Sequence, residues 1–227
     1  MSPAASIPAE PTASTLLAAQ SKRGRLIKRA GDIVFSLLVL SLGAPLFLVL
    51  ALLVKASSKG SVFYSQRRIG RGYKGFGCLK FRTMRKDADR VLAAVLAADP
   101  ALKAEFERDF KLKNDPRITP IGTFLRRSSL DELPQFINVL KGQMSVVGPR
   151  PIVWDELERY GRAMDEVLAV RPGLTGLWQV SGRNNLSYDT RVQLDLRYAR
   201  RRTFWLDLRI ILRPVGVILL PMDRGAY

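Results

Sequence analysis

The chain has 227 residues, 47 % of them apolar and 25 % charged, a balance that suits a folded domain rather than wholesale disorder. It contains 37 Lys and Arg against 20 Asp and Glu, a formal charge of +17, with one cysteine, Cys78, and no histidine. These counts exclude His general bases, His-ligated zinc, an intrachain disulfide and cysteine metal clusters, which leaves carboxylates, hydroxyls, Lys, Arg and oxygen-liganded cations such as Mg²⁺.

Residues 1–20, rich in Ala, Ser, Pro and Thr, read as a disordered tail. From Ile33 to Val54 the run IVFSLLVLSLGAPLFLVLALLV carries no charge over 22 residues, and about 20 apolar residues suffice for a helix to cross a bilayer. The run is longer than the core of a signal peptide and no clean small-residue cleavage site follows it. Lys22, Arg23, Arg25, Lys28 and Arg29 precede it, and Lys55, Lys59, Arg67, Arg68, Arg71 and Lys74 follow. A simple span concentrates its basic residues at the cytoplasmic end, whereas here both ends are basic. Pro45, within Gly43-Ala44-Pro45 at the middle of the run, lacks a backbone donor and clashes with the preceding turn. A helix that bends at Pro45 and returns to the face it entered satisfies these signals, as does a straight span with a proline kink. Asp32, at the edge of the run, is expected to pair with a neighbouring cation such as Arg29.

Residues 61–70 and 75–84 are β-prone and read as a hairpin. Apolar residues at helical spacing between Lys86 and Lys111 predict two helices parted at Asp99-Pro100. Residues 114–151 read as turn, helix, glycine stop and extended loop. Trp154 to Val170 reads as one helix, and residues 171–184 as turns around a short strand. The chain is predicted helical from Tyr188 onward. Its second apolar stretch, Ile210 to Leu220, is broken by Arg213-Pro214 and too short to span; with Trp205 it suits a helix in the membrane interface, or equally a buried terminal helix.

Ser129-Leu130-Asp131-Glu132 matches the S-x-x-E capping box, in which Ser129 caps and Glu132 reaches back to the chain. The alternative is catalytic, because arginines surround this segment: Arg126 and Arg127 before it, Arg150 in Val-Gly-Pro-Arg-Pro, and Arg183 in Ser-Gly-Arg-Asn. Arginine's planar fork binds phosphate oxygens in pairs; the bland explanation for arginine without lysine after Lys141 is coding bias. A carboxylate among arginines is expected to have its pKa lowered, to be ionised at neutral pH, and to be able to attack phosphorus. The sequence has no P-loop motif and no protein-kinase signature.

The ordered motifs KRAGDIVFS, QRRIGRGYKGF, LKFRTM, DPRITPIGTFLRRSSLDELPQFINVLKGQMSVVGPRP, RPGLTGLWQVSGRN and LDLRYARRRTFWLDLRIIL resemble those of the bacterial sugar transferases, the monotopic phosphoglycosyl transferases. The resemblance runs from about Lys28 to the last residue. It implies transfer of a sugar-1-phosphate from a nucleotide-diphospho-sugar, usually a UDP-sugar, to undecaprenyl or another polyprenyl phosphate. UMP is released and Mg²⁺ is required. It implies Asp131 as nucleophile and Mg²⁺ ligand, with Glu132 as its catalytic partner, and ping-pong turnover through a phosphosugar-aspartate. Arg126, Arg150, Pro151, Arg183 and Asp207 are implied as substrate-contacting or supporting residues, and Lys80 and Arg82 as further ones. It also implies the re-entrant membrane helix, broken at Pro45; where the family often has Ser-Pro, this chain has Ala44-Pro45. Larger relatives carry additional N-terminal membrane helices, and the sequence reads as the compact form.

The expected fold is thus α+β and mainly helical. A tail (1–20) precedes a basic flank with a re-entrant membrane helix hairpin (21–60) and a compact cytosolic catalytic domain (61–227) with a short β-hairpin and interfacial amphipathic helices. The family setting is the bacterial cytoplasmic membrane, on its cytoplasmic face, as the first membrane step of exopolysaccharide or related glycan assembly. Anionic lipids would then be partners of the basic chain, a homodimer is compatible with such a shape, and no nucleic acid is expected. The competing readings are a non-catalytic membrane scaffold, a basic nucleic-acid-binding protein, and a glycosyltransferase that moves the sugar alone and releases UDP.

Overall fold

The computed structural model describes residues 22–109, 112–182 and 186–219. The expected tail at 1–20 lies outside them. Among the described residues the chain is mainly helical, with two small sheets of two strands each. It divides into two compact units. One holds the chain up to Leu37, Arg67–Phe76 and the residues from Asn138; the other holds Leu38–Gln66 and Gly77–Ile137.

Helix α1 (Lys22–Leu42) is followed after Gly43 by α2 (Ala44–Ser57), and the two axes differ by 64°. The break falls where the residue order predicts it, since Pro45 occupies the first turn of α2 and cannot donate back into α1. No single described helix is long and apolar enough to cross a membrane, although the bent pair together has that length and composition. Leu37, Leu38, Leu42, Leu48, Val49 and Leu52 are exposed on it.

In the first unit, α1 is held by polar contacts. Asp32 is buried, accepting from the Ser145 hydroxyl at 2.9 Å and the Val146 amide at 3.1 Å. Its cation is Lys28, at 3.3 Å, and not the expected Arg29. A spacing of four along a helix puts Lys28 on the face of Asp32, whereas Arg29 is turned to the carbonyls of Val139 and Leu140 at 2.7 and 3.0 Å. Lys28 also reaches Asp207 at 2.8 Å. The Tyr198 hydroxyl lies 2.7 Å from Asp207 and 2.9 Å from the carbonyl of Val147. Asp207 and Tyr198 belong to the last two described helices, Phe204–Leu219 and Tyr188–Arg201. The final helix continues through Arg213-Pro214, where the sequence suggests a break, and it exposes Phe204, Trp205 and Leu212.

Strands β1 (Phe63–Ile69) and β2 (Gly75–Phe81) form the expected hairpin. The second sheet departs in part from expectation: β3 (Ser145–Val147), read as extended loop, pairs in parallel with β4 (Gly173–Thr175). The two are pressed together beyond their ladder. A Cβ on Gly148 would stand 2.5 Å from the Arg171 carbonyl oxygen, and one on Gly173 would collide with the Gly148 amide. These two glycines therefore permit a backbone contact that any side chain would prevent. The helix expected over Trp154–Val170 is instead a series of single turns, interrupted where Gly161 takes a φ of 49°. These turns pack Tyr160, Met164, Val167 and Leu168 against Ile69, Ile152 and Val192.

In the second unit, α3 (Ala88–Ala98) and α4 (Pro100–Asp109) part at Asp99, as expected, and Asp99 caps α4 by accepting from the Ala101 amide at 2.8 Å. Helix α5 (Pro120–Ser128) and helix α6 (Gln135–Leu140) flank a single 3₁₀ turn, Leu130–Glu132. The core here is Leu50 and Val54 of α2 with Phe81 and Leu125, and Leu130 and Leu133 pack onto it. In the first unit, the short helix α7 (Leu177–Ser181) precedes α8 (Tyr188–Arg201) and α9 (Phe204–Leu219).

Replacing Asp32 by Ala leaves Lys28 with Asp207 as its one remaining carboxylate partner and takes the side-chain acceptor from the Val146 amide, while the Ser145 hydroxyl keeps only the Val147 carbonyl. We expect a loss of about 3 kcal/mol in unfolding free energy, measured by denaturant titration of the detergent-solubilised protein.

Candidate active site

The acidic turn is built from both of its ends. Thr119 caps α5 by accepting from the Gly122 amide at 3.0 Å, and its own amide donates to the Thr83 carbonyl at 3.0 Å. Gly122 sits so close to that carbonyl that a Cβ could not be accommodated. Helix α5 ends at Ser129, which takes a left-handed φ of 58°, a conformation uncommon for any residue but glycine. The chain then enters the 3₁₀ turn carrying Asp131 and Glu132, anchored by Leu130 and Leu133, and Pro134 closes it ahead of α6.

The expected capping box does not form. Ser129 makes no side-chain cap, and Glu132 does not reach back to the chain. Glu132 instead accepts from the Lys80 ammonium at 2.6 Å, while Asp131 lies 3.6 Å from the same nitrogen. An N-cap residue holds extended backbone, which the left-handed Ser129 does not, so the cap is not made and Glu132 is free for Lys80. Lys80 comes from β2, on the strand face of the buried Cys78. Arg126, on the last turn of α5, donates from Nε to the Thr83 hydroxyl at 2.9 Å.

The electrostatics reverse one expectation. Asp131, only 7 % exposed, has its pKa raised above the ordinary carboxylate value, not lowered. Burial is the largest cause; Lys80 and Arg126 pull the value down, but Glu132 adds to the rise. Burial likewise pulls the Arg126 guanidinium below its usual value, opposed by Asp131 and Asp115. Asp115 is gripped by Arg117 through two bonds of 2.8 and 2.7 Å beside this segment.

The remaining expected site residues make contacts of their own. The Arg82 guanidinium donates to Ser58 at 2.6 Å, to the carbonyl of Val54 at 3.3 Å, and to the carbonyl of Ser61, at the end of α2. Arg150 and Pro151 belong to the other unit. There Arg150 lies 5.6 Å from the Trp178 ring centre and 4.0 Å from Glu156, and Arg68 donates to the Pro151 carbonyl at 3.1 Å. Glu156 also takes the Val153 amide at 3.0 Å, so one carboxylate organises the whole loop. Asp207 serves the Lys28 network, and Pro45 stands at the helix break. Arg183 lies outside the described residues.

Sequence reasoning did not single out Thr83, Glu156, Trp178 or Asp195, and it took Arg68 only as part of the basic flank of the apolar run. Asp195 is fully buried, takes the Tyr160 hydroxyl at 2.9 Å, and has a pKa pushed up to about 7 by burial. Arg68, Thr83, Trp178 and Asp195 stand inside the family-like motifs, but nothing in their spacing ties them to the acidic pair or to Arg150.

Residues 23–221 match the family model described as bacterial sugar transferase. The chain belongs to that family. It is 53 % identical over 203 residues to an uncharacterized sugar transferase of Haemophilus influenzae, covering 89 % of this chain and 42 % of that protein. It is 51 % identical over 206 residues to the undecaprenyl-phosphate galactose phosphotransferase of Salmonella typhimurium, covering 91 % of this chain and 43 % of the relative. The exopolysaccharide production protein ExoY of Sinorhizobium fredii is 48 % identical over 204 residues, which is 90 % of this chain and 89 % of ExoY. The chain thus spans less than half the length of the first two relatives and most of the third.

The oxygen donors of Asp131 and Glu132 suit Mg²⁺, which is commonly held by one or two carboxylates together with substrate phosphates. Among the described residues no cluster of three or more acidic or cysteine ligands exists.

Because the rise at Asp131 comes from burial and from Glu132, Glu132→Gln should lower its pKa and Lys80→Met should raise it further. Titration of the ¹³C-labelled carboxyl by NMR reads both shifts. A carboxylate with a raised folded-state pKa costs stability as pH rises through that pKa, so Asp131→Asn should melt higher than the parent at neutral pH, in differential scanning calorimetry.

Proposed function

We propose that the chain transfers a sugar-1-phosphate from a UDP-sugar to undecaprenyl or a similar polyprenyl phosphate, with Asp131 as nucleophile. The observation that carries this reading is the Asp131–Glu132 pair itself: two adjacent carboxylates freed from capping, one buried, both facing a single ammonium. The names of the relatives support the substrate class, since one acts on undecaprenyl phosphate by its name and another belongs to exopolysaccharide production.

In the proposed reaction an Asp131 carboxylate oxygen attacks the phosphorus bearing the sugar. The bond from that phosphorus to the bridging oxygen breaks, and UMP leaves with the electron pair. The resulting acyl phosphate is then attacked by an oxygen of the lipid phosphate, which regenerates the carboxylate and yields the sugar on a polyprenyl diphosphate. Burial favours the step, because a poorly solvated carboxylate is a stronger nucleophile than one in water. Arg126 is proposed to neutralise phosphate oxygens beside the acidic turn. Arg150, on the loop that Pro151 shapes, is proposed as a phosphate contact within its own unit. Mg²⁺ held by Asp131, with Glu132 beside it, would supply charge neutralisation of the diphosphate.

The acceptor is a membrane lipid, which gives the exposed apolar residues of α1 and α2 a purpose. We take the bent pair as a re-entrant hairpin in the cytoplasmic membrane, with Trp205 and Phe204 of α9 in its interface and the basic chain on the cytoplasmic leaflet.

Purified protein given a UDP-sugar, polyprenyl phosphate and Mg²⁺ should release UMP. Asp131→Asn should lower that rate by about 10³-fold or more while the protein stays folded and membrane-bound. Intact-protein mass spectrometry with donor and no acceptor should show a hexose-phosphate adduct on the parent alone. Release of UDP identifies a sugar-only transferase, and no nucleotide release with any UDP-sugar identifies a scaffold. Cysteines introduced by Arg25→Cys and Lys59→Cys should label from the same side of sealed vesicles; labelling from opposite sides means a span.

A further inference from the structure

Lys80 stands at an unusual place. It lies on the strand face of Cys78, which is buried, so β2 delivers a charged group at the edge of a packed face. Its side chain is one-quarter exposed and its ammonium is shared by two carboxylates, Glu132 at 2.6 Å and Asp131 at 3.6 Å. Among the ion pairs of the described residues it is the cation that engages both members of the acidic turn. Arg126 acts on Asp131 through its charge but commits its Nε to Thr83. The two carboxylates therefore already carry a monovalent counter-ion, placed against one oxygen of each.

An ammonium and a divalent ion compete for the same two carboxylates, because their like charges repel in surroundings partly shielded from water. The lysine stem is flexible, and the freed ammonium remains beside the turn. We propose that Lys80 is the resident counter-ion of the Asp131–Glu132 pair: a divalent cation displaces it, and the displaced ammonium becomes available to a phosphate of the donor. This inference rests on the Mg²⁺-dependent transferase reading and gives Lys80 two successive partners. It makes Lys80 a competitor of the metal in the donor-free protein and a phosphate ligand in the loaded one.

The test is metal binding without donor. Mn²⁺ serves as probe, with free ion measured by electron paramagnetic resonance against the full chain in detergent. Lys80→Met should bind Mn²⁺ about three- to tenfold more tightly than the parent, the size expected for removing a partly screened cation. Lys80→Arg should stay within about twofold of the parent, since it keeps the charge, and Asp131→Asn should lose the binding. Equal or weaker Mn²⁺ binding by folded Lys80→Met overturns the proposal, as does absence of binding in both. Should Lys80→Met not fold, acylation of Lys80 in the parent replaces it: saturating Mg²⁺ should speed modification of that lysine, read by peptide mass spectrometry, and an unchanged rate overturns the proposal. UMP release is measured separately on the same preparation. If it persists while Mn²⁺ affinity fails to respond to Lys80, the transferase reading stands and this inference falls; if displacement occurs without UMP release, the reverse holds.

Discussion

Two neighbouring carboxylates held on one 3₁₀ turn, with a single ammonium facing both, are the constraint around which the second unit is organised. Like charges at adjacent positions repel, and burying Asp131 adds to the cost. The turn persists because Leu130 and Leu133 are set into the same core as Leu125 and Phe81, and because Lys80 supplies opposite charge from a neighbouring strand. Strain at Ser129 is the visible sign of this arrangement. A helix that began at an extended Ser129 would avoid this conformation, and would return Ser129 and Glu132 to capping duty. The fold instead draws on packing energy to keep two acids available, which is how functional sites differ from stability-optimised ones.

The first unit uses a different device. Arg150 lies in a loop whose backbone is fastened by the contact between Gly148 and Gly173, by Arg68 on the Pro151 carbonyl, and by Glu156 on the Val153 amide. Its guanidinium then has the face of Trp178, which Arg191 also covers at 4.7 Å. Rigid backbone and an aromatic platform reduce the entropy that a long side chain loses on meeting a ligand. The polar network of Lys28, Asp32, Ser145, Tyr198 and Asp207 fixes the first half of α1 in the same unit by directional bonds. The apolar residues farther along the helix, Leu37, Leu38 and Leu42, stay exposed.

Much of this was legible in the residue order. The absence of histidine, the uncharged run with basic flanks, the proline break, the hairpin, the parting of α3 from α4 at Asp99 and the acidic pair itself are all local features. Local signals misled where two local meanings compete. Ser129 to Glu132 spells a capping box, Trp154 to Val170 has helical periodicity, and Arg29 lies nearer to Asp32 than Lys28 does along the chain. In each case a tertiary partner won: Lys80 for Glu132, the packing of Tyr160, Met164 and Val167 against Ile69 and Ile152 for the broken turns, and the carbonyls of Val139 and Leu140 for Arg29.

The sequence by itself determined the available chemistry, the membership in the family and the place of the helix break, since these follow from residue type, motif and proline geometry. Tertiary structure alone decided the ionisation of Asp131, because burial and the Lys80 charge come from segments distant along the chain, and their balance ran opposite to the composition. It also decided which cations serve the acids and which serve the backbone. Lys80 ends near the close of β2 and Arg82 follows two positions later, yet one faces carboxylates and the other donates to carbonyls at the end of a helix. That separation arises from where the chain folds around each side chain, which no spacing rule encodes.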